Sequence, residues 1–499
     1  MLEFLKNEAN KTLTENGAVT YQTSNSNCLD LFAMIGALRN QNDKRIIDLF
    51  EKAYIEDKDI ATKILFYTRD IRGGMGERHV FRVIVNWLAN NYPETIRKNI
   101  EYFVEFGRYD DLLSLFDTQC ENDMLAYISK QFAKDLLTLL NENDYSTSLL
   151  GKWLPSINAS NKTTKLQGKK IARTLSLNDK EYRKVLAGLR KKINIIENYL
   201  RTKDYSFDYS KQPSKAMLKY KAAFIRNDKD RYKEFLDEVK EGKKTLHTQT
   251  LYPYDIVNEI VQKIESCGWN YNNKDTTQAD QIDAWDTTWN QLEDFTNNKN
   301  NLVVIDGSGS MYGYGTPTPI SVAMSLGIYF AERNKGTFKN HFITFSSNPK
   351  LVEIKGNNIY EKVKYCMKFN EIANTNIQKV FELILNAAKK NNVPQDELPE
   401  TVYIISDMEW DRCTLDSSST NFEYAKKIFN DAGYKLPKLI FWNVQSRNDQ
   451  VPIKQNEVGV GLVSGCSPRI FSMILNDDMN PYTYMMSILN NERYQNIIA

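Results

Sequence analysis

The stretch Val303–Gly313, VVIDGSGSMYG, follows a run of apolar β-formers with an aspartate and two serines on alternate positions. A phosphate cradle does not fit it. The lysine of G-x-x-x-x-G-K-[ST] is missing and the G-x-G-x-x-G register is absent. An aspartic-protease site needs two matched carboxylates and a hydroxyl residue directly after the aspartate, where Gly307 stands. Two readings remain: a plain turn after a buried strand, or a D-x-S-x-S metal cradle. In the cradle, Asp306 ends the strand, Ser308 and Ser310 point the same way, and the glycines admit a small cation close to the backbone.

A hard ion such as Mg²⁺ takes oxygen ligands in near-octahedral geometry and keeps several waters, so this set is half a site. Candidates for the rest are Thr375, in ANTNIQKVF at the start of a helix, and Asp407, ending the apolar run of VYIISDMEWD. Around them, strand candidates NLVVID, NHFITFS, TVYIISD, KLIFWNV and VGVGLVSG alternate with helix candidates ISVAMSLGIYFAERN, TNIQKVFELILNAAKKN and FEYAKKIFNDAG. Near-continuous apolar strands with helical crossovers predict an α/β doubly wound domain over residues 301–465, with ligands at the carboxyl ends of its strands.

Upstream the rhythm is helical. LDLFAMIGALR, IIDLFEKAYIEDKDIATKILFYTRDI and HVFRVIVNWLANNYPETIRKNIEYFVEF carry apolar residues at three-to-four spacing. Residues 1–295 are therefore expected to form an all-α helical-repeat domain of HEAT-like type, a plain bundle being the alternative. IDAWDTTWNQLEDF reads as one helix, a boundary falls just before Leu302, and residues 466–499 are expected to form a helical tail packed on the body.

The net charge of +2 conceals an asymmetry. Between Lys152 and Lys244 lie 25 Lys and Arg against 11 Asp and Glu, a net +14, which leaves the rest of the chain at −12. The basic candidates for phosphate contact are Lys169, Lys170, Arg173, Arg183, Lys184, Arg190, Lys191, Lys192, Lys215, Lys219 and Arg226. Tyr182, Tyr199, Tyr220, Phe224, Tyr232 and Phe235 interleave with them as candidate stacking residues. Solvated helix faces, or docking to an acidic partner, explain the same lysines. DIRGGMGERHVFR is equally open: Asp70, Arg72, Glu77, Arg78 and Arg82, with Gly73, Gly74 and Gly76, form either an anion or RNA contact at a helix N-terminus or a turn laced by ion pairs.

Other chemistry has little material. The six cysteines contain no C-x-x-C pair and read as reduced core residues. His79, His247 and His341 are far apart and receive no catalytic role. Trp153 and Trp442 read as core. No apolar run reaches the length of a membrane span and no signal peptide is evident, so a cytoplasmic protein without membrane attachment is expected.

D-x-S-x-S, a loop threonine and a strand-ending aspartate together resemble the metal-ion-dependent adhesion site of von Willebrand factor A (vWA) domains. The resemblance implies hydroxyl ligands from Ser308, Ser310 and Thr375, carboxylates from Asp306 and Asp407, and an open position for a partner's carboxylate or phosphate oxygen. Helical repeats followed by such a domain resemble the Ro autoantigen family. ATKILFYTRDIRGGMGERHVFRVIVNWL, SLLGKWLPS, YDIVNEI and MNPYTYMMSILNNERYQNI resemble more closely an uncharacterised family of large vWA proteins related to it. The resemblance implies a non-enzymatic RNA-binding scaffold of the ribonucleoprotein kind, holding Mg²⁺ or another divalent cation; a helical array closed by its own vWA domain would need no second copy, so a monomer is compatible with it and the oligomeric state stays open. The rival readings are a metal-dependent protein-interaction scaffold that captures an acidic partner and, with less support from two carboxylates among hydroxyls, a metal-dependent phosphoesterase.

Overall fold

The computed structural model describes residues 1–141, 146–266, 278–297, 299–313, 315–346, 348–369, 375–412, 419–473 and 476–499. Its strands begin with an antiparallel pair, β1 (Lys11–Leu13) and β2 (Val19–Tyr21). The others form one sheet: β3 (Asn301–Asp306), β4 (His341–Phe345), β5 (Leu351–Glu353), β6 (Thr401–Ser406), β7 (Lys438–Asn443) and β8 (Val460–Ser464). The order is β5-β4-β3-β6-β7-β8, parallel except for β5, which runs antiparallel along β4 at the edge. Every residue of β3, β6 and β8 is buried, as a parallel sheet covered on both faces requires. The chain moves outward from β3 on one side and then restarts beside it at β6. The crevice between the carboxyl ends of β3 and β6 is thus the topological switch point.

The N-terminal region is helical, apart from β1 and β2. Its longer helices include Asp43–Glu56, Lys58–Arg69, His79–Asn91, Glu121–Leu140, Asp179–Lys192, Ser214–Asn227 and Pro253–Ser266. Asn178 caps Asp179–Lys192 through a capping box with Glu181. The β1–β2 hairpin departs from an all-α expectation, and beyond it Tyr21 and Val451 exchange backbone hydrogen bonds of 3.1 and 3.0 Å, a pairing no local pattern reveals. The helix in IDAWDTTWNQLEDF spans Ala279–Asn290, starting and ending before that stretch does.

The helical region closes onto the sheet at both ends. At one end the helix Asn27–Met34 lies on β8, where Ser464 Oγ donates to Phe32 O at 2.8 Å and accepts from Gly36 N at 3.0 Å. The approach is close enough that a Cβ on Gly36 would lie 2.7 Å from the backbone nitrogen of Gly465. At the other end the helix Pro253–Ser266 packs on Pro319–Arg333, and Trp289 Nε1 donates to Glu332 Oε2 at 2.7 Å. The C-terminal residues return to the helices: Tyr494 Oη donates to Asp70 Oδ2 at 2.9 Å, and Ala499 N donates to Asp59 Oδ1 at 2.7 Å.

One apolar core runs from the N-terminal helices through the sheet to this tail. A second, smaller one gathers Ile196, Phe207, Tyr209, Phe224, Tyr232 and Phe235 with their neighbours. The second half of the basic stretch therefore has a core of its own, while Ile171, Tyr182 and Leu189 of the first half join the larger one.

Candidate functional site

The end of β3 and the end of β6 place two carboxylates at the switch point. Asp306 is 1% exposed; its Oδ1 accepts from Ser308 N at 2.9 Å and its Oδ2 from Ser406 Oγ at 2.6 Å. The turn after β3 brings the Ser308 and Ser310 hydroxyls within 3.0 Å of one another. Asp407, 2% exposed, accepts from Glu409 N at 3.2 Å through Oδ1. Thr375 is buried, and its hydroxyl donates to Glu409 O at 3.1 Å, so the 406–410 turn ties the threonine to the second aspartate. Asp306, Ser308 and Ser310 thus lie beside Asp407 at one end of the sheet, and Thr375 is linked to them through the backbone of Glu409.

Burial, reinforced by the charge of Asp407, pushes the Asp306 carboxyl up to about 7. Asp407 Oδ2 is buried without a hydrogen bond, although Arg447 Nη2 lies 3.1 Å away as an ion pair of poor alignment. Two buried carboxylates, one with an unsatisfied oxygen, beside two serine hydroxyls are a donor set that suits a hard divalent cation. Among the described residues no three His, Cys, Asp or Glu side chains come together, so any metal held here depends on hydroxyl oxygens.

Several residues at the site have no signature in the sequence. Ser406 reaches Asp306 only because β6 lies beside β3. Glu409, buried and with its carboxyl pushed up by burial, accepts from Glu15 N at 2.8 Å, Asn448 Nδ2 at 2.8 Å and Gln450 Nε2 at 2.9 Å. Asn16 Nδ2 donates to Glu409 O at 2.6 Å and approaches Thr375 Oγ1 at 3.5 Å. The loop between β1 and β2 therefore lies beside the site from nearly four hundred residues away.

The basic candidates divide by what they touch. Arg190 donates to Gly151 O at 2.9 Å and Leu154 O at 3.0 Å, with its guanidinium pushed down by burial. Lys192 is bound to the carbonyls of Thr138 and Asn141. Lys169 faces Asp179 at 3.9 Å, Lys170 pairs with Glu121, and Lys215 pairs with Asp255 at 3.1 Å. Lys219 lies over the Tyr220 ring at 4.9 Å. Arg173, Lys184, Lys191 and Arg226 are exposed and, among the described residues, have no acidic partner. Arg183 is exposed too, and its Nε donates to Asp179 O at 3.1 Å. A cleft of about 550 Å³ is lined by Arg183, Arg190, Lys191, Tyr199 and Arg201, so part of the set converges on one surface.

The stacking residues are mostly unavailable. Tyr182, Phe224, Tyr232 and Phe235 are at most 4% exposed, because helical periodicity turns the aromatics inward and the lysines outward. Tyr199 and Tyr220 remain half-buried. Trp442 is fully buried and donates to Gly465 O at 2.7 Å, whereas Trp153 is half-buried under the Arg108 guanidinium at 4.0 Å. Cys28, Cys120, Cys366 and Cys466 are buried free thiols; Cys267 and Cys413 lie outside the described residues. No described helix is long and apolar enough to cross a membrane.

These features define a class: a helical region closed at both ends onto a doubly wound α/β domain with a carboxylate-hydroxyl cluster at its switch point. The chain belongs to the family described as domain of unknown function DUF2828, which matches residues 14–129 and 109–302. A second family, domain of unknown function DUF7788, matches residues 300–493, so the two matches meet at the start of β3. An uncharacterised protein of Acanthamoeba polyphaga mimivirus is 30% identical over 519 residues, covering 96% of this chain and 87% of that protein. The crystal structure of the Deinococcus radiodurans Ro (RSR) protein aligns with a TM-score of 0.49 at 12% identity, covering 94% of this chain and all of that one.

Proposed function

We propose that the protein is a non-enzymatic RNA-binding scaffold with a divalent-cation site of the vWA adhesion type. The observation that carries the RNA reading is the cleft where Arg183, Lys191 and Arg201 converge without acidic partners among the described residues. Guanidinium and ammonium groups that outnumber the one carboxylate lining the cleft, Asp204, attract a phosphate backbone and release its counterions, which gives affinity without base readout. Tyr199, half-buried in the same cleft, offers a ring for an unpaired base. Arg190 and Lys192 act differently, fastening the basic helix to carbonyls beneath it.

At the switch point Asp306, Ser308, Ser310, Thr375 and Asp407 would hold Mg²⁺, directly or through water. The ion would supply an open coordination position for a phosphate or carboxylate oxygen of a partner. Ser406 and the Glu409 backbone orient the two carboxylates, and the buried setting keeps bulk water from competing for them. The site supports a second reading, a metal-dependent grip on an acidic protein partner, because its donor set does not discriminate between the two kinds of oxygen.

The test is binding of the full chain to a pool of single-stranded and structured RNAs in Mg²⁺ and in EDTA, beside a variant with Arg183, Lys184, Lys191 and Arg201 changed to Glu. RNA binding lost in that variant is expected. An acidic peptide bound in Mg²⁺ with no RNA bound in either condition selects the protein-partner reading.

A further inference from the structure

The glycine-rich segment 70–82 opens onto a second cavity, of about 570 Å³, between the helical region and the loop at Thr316 and Pro317. Gly76 sits at φ +70° against the Tyr252 ring, a turn that brings the chain from Lys58–Arg69 into the helix His79–Asn91. Most charges of the segment are matched within the protein. Asp70 accepts from Arg493 and Tyr494, Glu77 pairs with Arg39, and Arg72 donates to Glu105 O at 3.1 Å. The other acidic lining residues are matched as well: Asp255 by Lys215, and Glu259 by Lys221 and Trp285.

What is left over is positive. Arg69 and Arg82 share Asp111, at 2.6 and 2.7 Å, while Arg82 and Arg108 share Asp110, both at 2.7 Å. Arg78 joins this group and, among the described residues, meets no carboxylate at ion-pair distance. Four guanidiniums thus face two carboxylates, an excess of two positive charges beside a cavity large enough for a nucleotide. Burial and the neighbouring Arg108 and Arg82 push the Arg78 guanidinium down from its usual value, the mark of an uncompensated cation. The helix His79–Asn91 starts at Arg78 with no side-chain cap, so its first backbone donors add to the same field.

We infer that this cavity binds a phosphate monoester, with Arg78 as its principal contact and Arg108, held bidentate on Asp110, adding charge beside it. A dianion neutralises the excess, and guanidiniums pair with phosphate oxygens in bidentate fashion. The group comes either from a free nucleotide or from the terminal phosphate of a nucleic acid. The inference does not rest on the basic cleft: the cavity's lining includes none of Arg183, Lys191 or Arg201.

The experiment measures melting temperature and affinity of the full chain with inorganic phosphate, AMP, adenosine, and a short oligoribonucleotide with and without a 5′-phosphate. The wild-type protein should be stabilised by phosphate and AMP and not by adenosine. Arg78→Ala should bind AMP about ten- to a hundredfold more weakly. Because Arg78 meets no carboxylate at ion-pair distance among the described residues and is repelled by Arg82 and Arg108, this variant should melt no lower than wild type without ligand. An R183E/K191E variant should keep AMP binding, which separates this site from the cleft. Preference for the 5′-phosphorylated oligonucleotide over its hydroxyl form assigns the source to a nucleic acid end, and binding of AMP alone assigns it to a nucleotide. Equal AMP affinity in wild type and Arg78→Ala, equal binding of adenosine and AMP, or no response to any phosphate probe overturns the inference.

Discussion

Replacing Asp306 by Asn should stabilise the metal-free protein, although it removes a residue from the centre of the candidate metal site. Asp306 is 1% exposed, and burial together with the charge of Asp407 raises its carboxyl from 3.8 to about 7. The sign follows from proton linkage. The folded state holds the proton that the unfolded chain releases, so stability falls as pH rises from about 3.8 through about 7 and is level above. The full penalty above pH 7 is about 4 kcal/mol. An asparagine carries no such penalty and its carbonyl can still accept from Ser308 N or Ser406 Oγ, so one lost hydrogen bond costs back about 1 kcal/mol. In EDTA at pH 8, D306N should therefore be more stable than wild type by about 3 kcal/mol, and the gap should narrow at pH 5 and vanish or reverse near pH 4. With Mg²⁺ the wild type should recover at pH 8 while D306N does not respond. Thermal or denaturant unfolding followed by circular dichroism reads all four conditions. A D306N protein less stable than wild type in EDTA at pH 8, or one whose response to Mg²⁺ matches wild type, refutes the reasoning.

Other substitutions probe the remaining links. Ser308→Ala removes one hydroxyl of the 3.0 Å serine pair and should weaken Mg²⁺ binding about tenfold in calorimetry while changing metal-free stability by about 1 kcal/mol. Gly36→Ala forces a Cβ against the backbone of Gly465 and should cost about 1–3 kcal/mol in denaturant unfolding, because two of the three atoms it meets are backbone and only the Met75 side chain can give way. Asp111→Ala strands the 2% exposed Arg69 and should cost about 3–5 kcal/mol by the same assay; a loss below 1 kcal/mol would mean that the pair is open to water.

Much of the sheet domain was legible because its strands are buried on both faces and so read as unbroken apolar runs. β5 was not: three residues long and at the edge, it buries only Val352. β1 and β2 escaped because each is only three residues long, and the further pairing of Tyr21 with Val451 is distant in sequence and depends on the closed arrangement of the two regions. Asp306, Ser308 and Ser310 lie close together in sequence, and Thr375 and Asp407 fall at element boundaries, which is why the cluster could be picked out. Ser406, Glu409, Asn16 and Arg447 could not, since each enters through tertiary packing. Composition marks residues 152–244 as basic, but only the fold separates Lys191, exposed, from Lys192, whose ammonium is spent on carbonyls. Likewise, lysines and aromatics interleave in sequence yet occupy opposite faces of the helices, so Phe224 and Tyr232 belong to the second core.

The most direct test of the RNA-scaffold reading is the salt dependence of RNA affinity. For the full chain and a single-stranded RNA, log K plotted against log salt should fall with a slope of about −3, the value for four phosphate contacts. The variant with Arg183, Lys184, Lys191 and Arg201 changed to Glu should bind far more weakly and lose that slope. A flat salt response in the wild type, or the same slope and affinity in the variant, would contradict the account.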